Sequence, residues 1–145
     1  MKLTQFSDYS LRVLIFAALR REALFSVDEV ARAYGVSRHH VAKVVNFLTR
    51  EGYLESRRGC RGGIRLGTAA EQIRVGQVVR KTESGSVMVE CFAPATNTCR
   101  LTQACLLKRA LSQASTAFYD ALDQYTLADL ATPSTPLLNA LEVQA

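Results

Sequence analysis

Three cysteines lie close together in the second half of the chain: Cys91, Cys99 and Cys105. Pro94 and Asn97 favour a loop between the first two. Thiolate sulfur is the preferred donor for iron–sulfur clusters, and it also binds zinc strongly. The first residues lack the apolar core of a signal peptide, and no apolar run is long enough to cross a membrane. We therefore expect a cytoplasmic protein with reduced thiols, whose grouped cysteines bind a metal rather than form disulfides.

The fourth ligand distinguishes an iron–sulfur cluster from a zinc site. Structural zinc usually needs a fourth cysteine or histidine nearby, but His39, His40 and Cys60 all lie in a different part of the chain. An iron–sulfur cluster can accept an oxygen ligand, which comes either from elsewhere in the chain or from a second subunit. The pattern favours a cluster. Two alternatives stay open: a zinc-stabilised module without a sensing role, and three unrelated small buried residues.

An enzyme or electron carrier that uses the cluster is an alternative from another class. The sequence shows no nucleotide-binding loop, no nucleophile–base pair and no second cluster motif. We therefore predict that the protein is not an enzyme.

Basic residues are concentrated between positions 37 and 81. Ten lysines or arginines lie there against three glutamates, in a chain of 145 residues with a formal net charge of +5. Hydrophobic residues make up 48% of the chain, which is enough for a folded core. The concentrated positive charge predicts a polyanionic partner, double-stranded DNA.

Two short helices are predicted at the start of this basic region. Ser26 and Glu29 form a capping box that opens the first, and Gly35 suits a left-handed stop at its end. Ser37 is predicted to cap the second helix. The pair forms a helix-turn-helix pattern, although an ordinary helical hairpin would share its glycine and valines. The residues predicted to contact DNA on the first turns of the second helix are Ser37, Arg38, His39, His40 and Lys43.

A basic hairpin is predicted next, with strands at 53–56 and 64–66. Its glycines let the backbone approach a phosphate, and its arginines neutralise charge there. A helix followed by a basic hairpin is the arrangement of a winged helix. The hairpin residues predicted to contact DNA are Arg57, Arg58, Arg61, Gly62 and Gly63. Cys60 lies at the tip, and we interpret it as incidental and solvent-facing, with a reactive thiol as the alternative.

Helices are predicted on either side of these elements, at 3–19 and 73–82. After the last cysteine a long helix is predicted, whose apolar seam favours a homodimer contact over burial in its own domain. The seam consists of Leu107, Leu111, Ala114, Phe118, Ala121 and Tyr125. The predicted fold is therefore mainly α with a small β-hairpin, a winged helix-turn-helix followed by a long C-terminal dimerisation helix.

The predicted organisation has four parts. A winged helix-turn-helix DNA-binding domain spans 1–82, and a cluster-binding loop spans 83–105. A dimerisation helix region spans 106–131, with a final turn near 126–130. A C-terminal tail, 132–145, contains two prolines and is expected to be loosely held.

Several motifs in fixed order resemble one family of transcription regulators. They are Leu3-Thr4-x-x-x-Asp8-Tyr9-x-Leu11-Arg12, Tyr34-Gly35-Val36-Ser37-Arg38-x-His40-x-x-Lys43, Arg58-Gly59-x-x-Gly62-Gly63-Ile64-Arg65-Leu66, the three cysteines and Tyr125-Thr126-Leu127-Ala128-Asp129-Leu130. In these motifs the chain resembles the NsrR/IscR/RirA family of iron–sulfur winged-helix regulators. Within that family it is most similar to the NsrR type, repressors that respond to nitric oxide. The resemblance covers nearly the whole chain.

The resemblance implies that Cys91, Cys99 and Cys105 bind an iron–sulfur cluster. It also implies that Asp8 of the partner subunit supplies the fourth ligand and that Arg12 lies close to the cluster. Three cysteines and a carboxylate favour a [4Fe-4S] cluster over a [2Fe-2S] cluster by resemblance. The implied function is that of a homodimeric repressor whose cluster is modified by nitric oxide, which releases DNA.

Two departures from the family pattern keep an alternative signal open. Seven residues separate the first two cysteines, where five are common in the family, and iron-responsive RirA-type members also have a long gap. Lys108 lies where IscR-type members have a histidine, which argues against that branch. The alternative is therefore a regulator of the same family that responds to iron or to iron–sulfur status.

Overall fold

The computed structural model describes residues 2–59, 62–85, 87–132 and 135–141. Seven α-helices and one two-stranded antiparallel sheet are present in these residues. In chain order the elements are α1 (Gln5–Leu19), α2 (Val27–Tyr34), α3 (Arg38–Arg50), β1 (Leu54–Arg57), β2 (Gly63–Leu66), α4 (Val75–Thr82), α5 (Leu106–Leu122), α6 (Leu127–Leu130) and α7 (Thr135–Leu141). Short 3-10 turns lie at Ala70–Gln72 and Glu90–Phe92. The predicted mainly α fold with a small hairpin is confirmed.

The core lies where α1 packs against α3 and α4. Helix α1 begins at Gln5 because the Thr4 hydroxyl accepts the Ser7 backbone N–H at 3.1 Å. Its inward face buries large apolar side chains, among them Leu14, which is fully buried. The inward face of α3 consists of Val41, Val44, Val45 and Leu48, as the sequence predicts. Burying these side chains leaves the polar face of α3 in solvent.

The turn between α2 and α3 follows the local sequence signals, with one exception. Ser26 and Glu29 form both halves of the predicted capping box, and Gly35 ends α2 with φ +62°. Ser37 occupies the N-cap position of α3, but its side chain makes no capping hydrogen bond. Ser37 is therefore the N-cap residue, as predicted, but the prediction that its side chain caps the helix is wrong. The Ser37 carbonyl still accepts the Val41 N–H, and the exposed hydroxyl is left to face solvent.

The hairpin is attached to the helical core along one edge. Strands β1 and β2 pair from Leu54 with Leu66 to Arg57 with Gly63. Phe25, just before α2, forms an isolated antiparallel bridge with Ile64, through N–H···O bonds of 2.9 and 2.8 Å. A Cβ at Gly63 would lie 2.9 Å from the Leu24 Cβ, so glycine is needed for this close packing.

Helix α1 begins at Gln5 rather than at the predicted residue 3, since Thr4 is its N-cap. Two further helix limits differ from the predicted ones because of backbone contacts distant in sequence. Helix α4 begins at Val75 rather than Ile73, since the Ile73 carbonyl accepts the Leu127 N–H at 2.8 Å. Helix α5 ends at Leu122, so Tyr125 is not part of the helical seam. The Tyr125 carbonyl instead accepts the Val75 N–H at 3.0 Å. The predicted final turn is confirmed as α6, capped by Thr126.

A seventh helix, α7, lies in the segment predicted as a loosely held tail. Its Leu141 is buried and joins the core cluster near α2. The sequence analysis did not predict this helix. In the described part of the chain, no helix combines the length and the apolar character needed to span a membrane.

Candidate DNA interface and metal-ligand segment

The outer face of α3 carries the side chains predicted to contact DNA. Ser37, Arg38, His39, His40 and Lys43 are all exposed. The valines and the leucine of the same helix are buried against α1 and fix its orientation. The structure thus places these five residues at the solvent-exposed beginning of α3.

The ion pairs of this region leave most of its positive charge available. Arg38 pairs with Asp28 at 2.8 Å, but both side chains are more than half exposed, so the pair is weak. Lys43, Arg57 and Arg58 form no ion pair with any residue that the structure describes. A phosphate could replace Asp28 at small cost and neutralise the others directly.

The wing is the β1–β2 hairpin with its tip. Arg57 and Arg58 are exposed at the end of β1, and Gly62 is exposed before β2. A Cβ at Gly62 would lie 2.3 Å from the Arg57 carbonyl oxygen, so the folding of the tip itself requires this glycine. Arg61 and Cys60 lie outside the described residues. Arg65, in contrast, pairs with Glu55 and Glu22 within the protomer and is not directed at a ligand.

The cysteine segment is organised by short-range hydrogen bonds of its polar side chains. The Glu90 carboxylate accepts the Thr98 backbone N–H at 3.0 Å and the Thr98 hydroxyl at 3.2 Å. Because Glu90 precedes Cys91 and Thr98 precedes Cys99, this contact closes the loop between the first two cysteines. The Thr102 hydroxyl then donates to the Cys99 carbonyl at 2.7 Å. These bonds close the part of the segment that contains Cys91 and Cys99, and none of them includes Cys105.

Cys105 lies at the N-cap of α5. Its Sγ accepts the Lys108 backbone N–H at 3.4 Å, in the position usually taken by a serine or aspartate oxygen. The N-terminus of a helix favours negative charge, as a metal-bound thiolate carries. Cys91 and Cys105 are half-buried and Cys99 is exposed, and all three are free thiols. Their chemistry fits a thiolate-bound metal group.

The described residues of one protomer do not form a complete metal site. Among them, no three His, Cys, Asp or Glu side chains lie together in a way that could hold a metal ion. In particular, Asp8 is not grouped with the cysteines. Because the three cysteines do not form such a group either, a site that uses all four predicted ligands needs a rearranged cysteine loop, whichever subunit supplies Asp8.

Asp8 is paired with Arg12 one turn further along α1. The two side chains meet in a bidentate arrangement, with Nε–Oδ1 at 3.0 Å and Nη2–Oδ2 at 2.8 Å. The Asp8 side chain is 45% exposed and the Arg12 side chain 42%. The Arg12 guanidinium also lies over the rings of Tyr9 and Tyr34, 5.9 and 5.8 Å from their centroids. Asp8 is thus accessible to a ligand, and Arg12 is held between two aromatic rings.

Tyr34 connects this pair to the helix-turn-helix. Its hydroxyl donates to the Arg12 carbonyl at 2.9 Å, at the C-terminal end of α2. Burial raises the pKa of Tyr34 to about 12, which Arg12 opposes and Asp8 reinforces. On the other side of Arg12, the Tyr9 ring lies 6.1 Å from the His40 ring of α3. Aromatic contacts therefore run from the Asp8–Arg12 pair to the first turn of α3.

Helix α5 projects from the rest of the protomer. None of its residues is buried, and Leu106 and Leu107 are 73% and 65% exposed. Its C-terminal half is attached to α4 by Arg80, which pairs with Asp123 at 2.6 Å and lies over the Tyr119 ring. An amphipathic helix with so little burial leaves an apolar face without a partner in the protomer.

A comparison with known proteins identifies the family. The chain matches the model of Rrf2, described as an iron-dependent transcriptional regulator, over residues 3–133. It belongs to the Rrf2 family. It is 47% identical over 131 residues to the HTH-type transcriptional regulator NsrR of Bacillus licheniformis, with 90% of this chain and 92% of that protein covered.

Solved structures support the same assignment. The fold is similar to that of oxidised CymR from Staphylococcus aureus, with a TM-score of 0.72 at 27% identity, covering 92% of this chain and 98% of that one. The fold of T. potens IscR is also similar, with a TM-score of 0.71 at 23% identity over 100% and 92% of the two chains. The predicted winged-helix fold and family are thereby confirmed. As an Rrf2 protein, the chain is a DNA-binding transcriptional regulator rather than an enzyme.

Sequence reasoning missed three groups that organise these regions. Glu90, which closes the cysteine loop, and Arg80, which attaches α5, act through contacts with residues 8 to 43 positions away. Glu83 at the end of α4 bonds to the start of α1 and is the most distant of the three in sequence. No local sequence pattern predicts such contacts. For the Glu83 contact, the only indication in the sequence is the presence of hydroxyl residues near both of its ends.

Proposed function

We propose that this Rrf2 protein is a homodimeric, cytoplasmic transcriptional repressor that carries an iron–sulfur cluster and senses nitric oxide through it. The observation that carries the proposal is the set of three free cysteines on one hydrogen-bonded loop that leads directly into an exposed helix. Its 47% identity to a regulator named NsrR supports the nitric-oxide branch. The family description as iron-dependent supports a role for iron.

DNA recognition in this proposal uses α3 and the wing. The first turns of α3 enter the major groove, where Arg38, His39 and His40 meet base edges and phosphates. Ser37 and Lys43 lie at the edges of the same surface. The wing arginines Arg57, Arg58 and Arg61, with Gly62 and Gly63, contact the phosphate backbone beside it. The exposure of the described members other than Gly63, which is half-buried, supports this role.

The proposed ligands of the cluster are Cys91, Cys99 and Cys105 of one protomer and Asp8 of the partner subunit. Among the described residues of a protomer, the Asp8 carboxylate is bound only by Arg12, in a half-exposed ion pair that a stronger ligand interaction could replace. Arg12 would then lie beside the cluster with its guanidinium still held between Tyr9 and Tyr34. The three thiolates favour a [4Fe-4S] centre, which would supply iron that nitric oxide attacks.

The dimer in this proposal forms along α5. The exposed Leu106 and Leu107 and the absence of any buried residue in α5 support a contact with a second copy along this helix. Ligation across the subunits would fix the distance between the two α3 helices. Loss of thiolate ligation would release the loop, and the two reading helices would no longer match the half-sites of the operator.

Analysis of anaerobically purified protein tests the proposal. We expect a brown dimer with iron and sulfide, and colourless or zinc-loaded protein would contradict it. Cys99→Ala should abolish cluster-dependent DNA binding, whereas Cys60→Ala, a matched cysteine substitution outside the segment, should leave it intact. Unchanged operator binding by the Cys99 variant would remove the cluster from the switch.

The signal is tested separately from the cluster. The alternative, a regulator of iron or iron–sulfur status, remains because the long gap between the first two cysteines also fits it. Loaded protein should be titrated with nitric oxide and, in parallel, with an iron chelator. Release of operator DNA at stoichiometric nitric oxide but not with chelator supports the proposed signal, and the opposite result supports the alternative.

A further inference from the structure

The carboxylate of Glu83, at the end of α4, is bound by the beginning of α1. Its Oε1 accepts the Thr4 backbone N–H at 2.8 Å and the Thr4 hydroxyl at 2.9 Å. The Ser7 hydroxyl donates to the same oxygen. Three donors on one carboxylate oxygen form charge-assisted hydrogen bonds, which are stronger than neutral ones.

The surroundings keep this contact in place. Ser7 is fully buried, and its hydroxyl oxygen also lies 2.7 Å from that of Thr82. The Thr82 hydroxyl also lies within hydrogen-bond distance of the Val78 carbonyl one turn earlier in α4. Each hydroxyl has one proton, so a Ser7 hydroxyl that donates to Glu83 accepts from Thr82. The contact is therefore a connected network of hydroxyls around one carboxylate. We call the Thr4, Ser7, Thr82 and Glu83 side chains the α1–α4 latch.

Within one protomer, the latch lies between Asp8 and the cysteine segment, which belong to two different clusters in the proposed dimer. Thr4 is the N-cap of α1, and its carbonyl accepts the Asp8 N–H at 3.1 Å, so the latch is one helical turn from Asp8. Glu83 follows α4 directly and begins the segment that leads to Cys91. One carboxylate thus connects the turn that bears Asp8 to the root of the cysteine segment.

We propose that Glu83 is a positioning residue that makes Asp8 and the cysteine segment of the same protomer move together. This inference rests on the proposed function, in which Asp8 of the partner subunit completes each cluster. In such a dimer, the latch would connect Asp8, which binds the partner subunit's cluster, to the cysteine segment of its own protomer. A disturbance of one cluster would therefore move the carboxylate offered to the other, which couples the two sites.

A purely local role predicts a different outcome. If Glu83 only stabilises the first turn of α1, its loss lowers stability equally whether or not Asp8 is present. If it positions Asp8, its effect on the cluster vanishes once Asp8 is removed. A double-mutant cycle separates the two, because groups that act through one another are not additive.

The experiment compares Glu83→Ala with two other variants. Glu83→Gln keeps an oxygen acceptor but loses the charge, and Glu71→Ala removes an exposed glutamate on the 3-10 turn as a matched control. Amide hydrogen exchange of the metal-free protein is measured at residues 4–8. Loss of the loaded cluster to a chelator is measured spectroscopically, in the wild-type and Asp8→Ala backgrounds.

We expect Glu83→Ala to accelerate both amide exchange and cluster loss by about tenfold, the scale of a lost hydrogen bond to a charged group. Glu83→Gln should give an intermediate rate, and Glu71→Ala should match the wild type. In the Asp8→Ala background, Glu83→Ala should change the rate of cluster loss no further.

Two results would overturn the inference: wild-type rates in Glu83→Ala, or an equal acceleration with and without Asp8. If Glu83→Ala does not fold, Glu83→Gln and Ser7→Ala are compared in the same cycle with the same criteria. A wild-type protein that holds no cluster refutes the proposed function instead. In that case exchange at residues 4–8 still reports whether Glu83 holds the start of α1.

Discussion

The wing arginines give the most quantitative test of the DNA interface. Arg57 and Arg58 are exposed and unpaired among the described residues, and a dimer presents four such side chains. Each phosphate contact made with duplex DNA steepens the plot of log affinity against log salt by about 0.9. If all four contact phosphates, the double Ala variant should show a slope shallower by about 3.6.

This change in slope is large enough to measure. Between about 50 and about 200 mM salt, the wild-type affinity should fall about 150-fold more than that of the double variant. Each single variant should give about half of the change in slope. Fluorescence anisotropy with a labelled operator duplex, at a series of salt concentrations, measures the slope directly.

A matched charge change on another element controls for net charge. Arg109 is exposed on α5, which is a different element from α3 and the wing. Arg109→Ala should leave the salt slope within about half a unit of the wild type, since it removes no phosphate contact. An unaltered slope in the double variant would refute the reasoning and would place the wing away from DNA.

Three further predictions concern the scaffold. Gly76→Ala should lower the free energy of unfolding by about 1–3 kcal/mol, because its Cβ would lie 2.8 Å from the Tyr119 carbonyl oxygen; an unchanged thermal midpoint would contradict this. The raised pKa of Tyr34, about 12 against 10.0, keeps its phenol neutral when folded, so stability present below pH 10 should be lost as pH rises toward 12. Urea unfolding should show a smaller loss in Tyr34→Phe, and identical pH profiles would refute it. Ser26→Ala should cost about 1 kcal/mol, whereas Ser37→Ala should change stability little and weaken operator binding, as calorimetry and anisotropy would measure; equal losses of stability would be inconsistent with the difference in capping.

Local signals in the sequence were sufficient where neighbouring residues determine the conformation. The Ser26–Glu29 capping box and the left-handed Gly35 were predictable because each involves residues within one turn. The inward valines of α3 were predictable from helical periodicity. The three cysteines lie close together in the sequence, but among the described residues they do not form a group that could hold a metal ion.

The errors occur where distant backbone contacts replace a local pattern. Tyr125 continues the apolar spacing of α5, yet its carbonyl binds Val75 and the helix ends before it. Ser37 has the sequence of an N-cap, but its hydroxyl makes no capping bond. With the exception of α7, the fold was therefore predicted at the level of elements, whereas several of their ends were not. For the candidate site, residue identities were predicted from resemblance, and the contacts that hold them were not.

Helix α4 is the element through which a change at the cysteine segment would reach DNA. Glu83 at its end binds the start of α1, and Arg80 in its middle binds α5 through Asp123. Helix α1 packs directly against α3, with an edge-to-face contact of Phe6 and Phe47 at 5.2 Å. If the beginning of the cysteine segment moves, either the Glu83 contact breaks or α1 is displaced together with α3. Because packed cores have discrete arrangements, such a displacement is a change between two states rather than a gradual bend. For the protein to be an allosteric switch, the cluster and the operator must favour different positions of α4 relative to α1, and each must then strengthen or weaken binding of the other by the same factor.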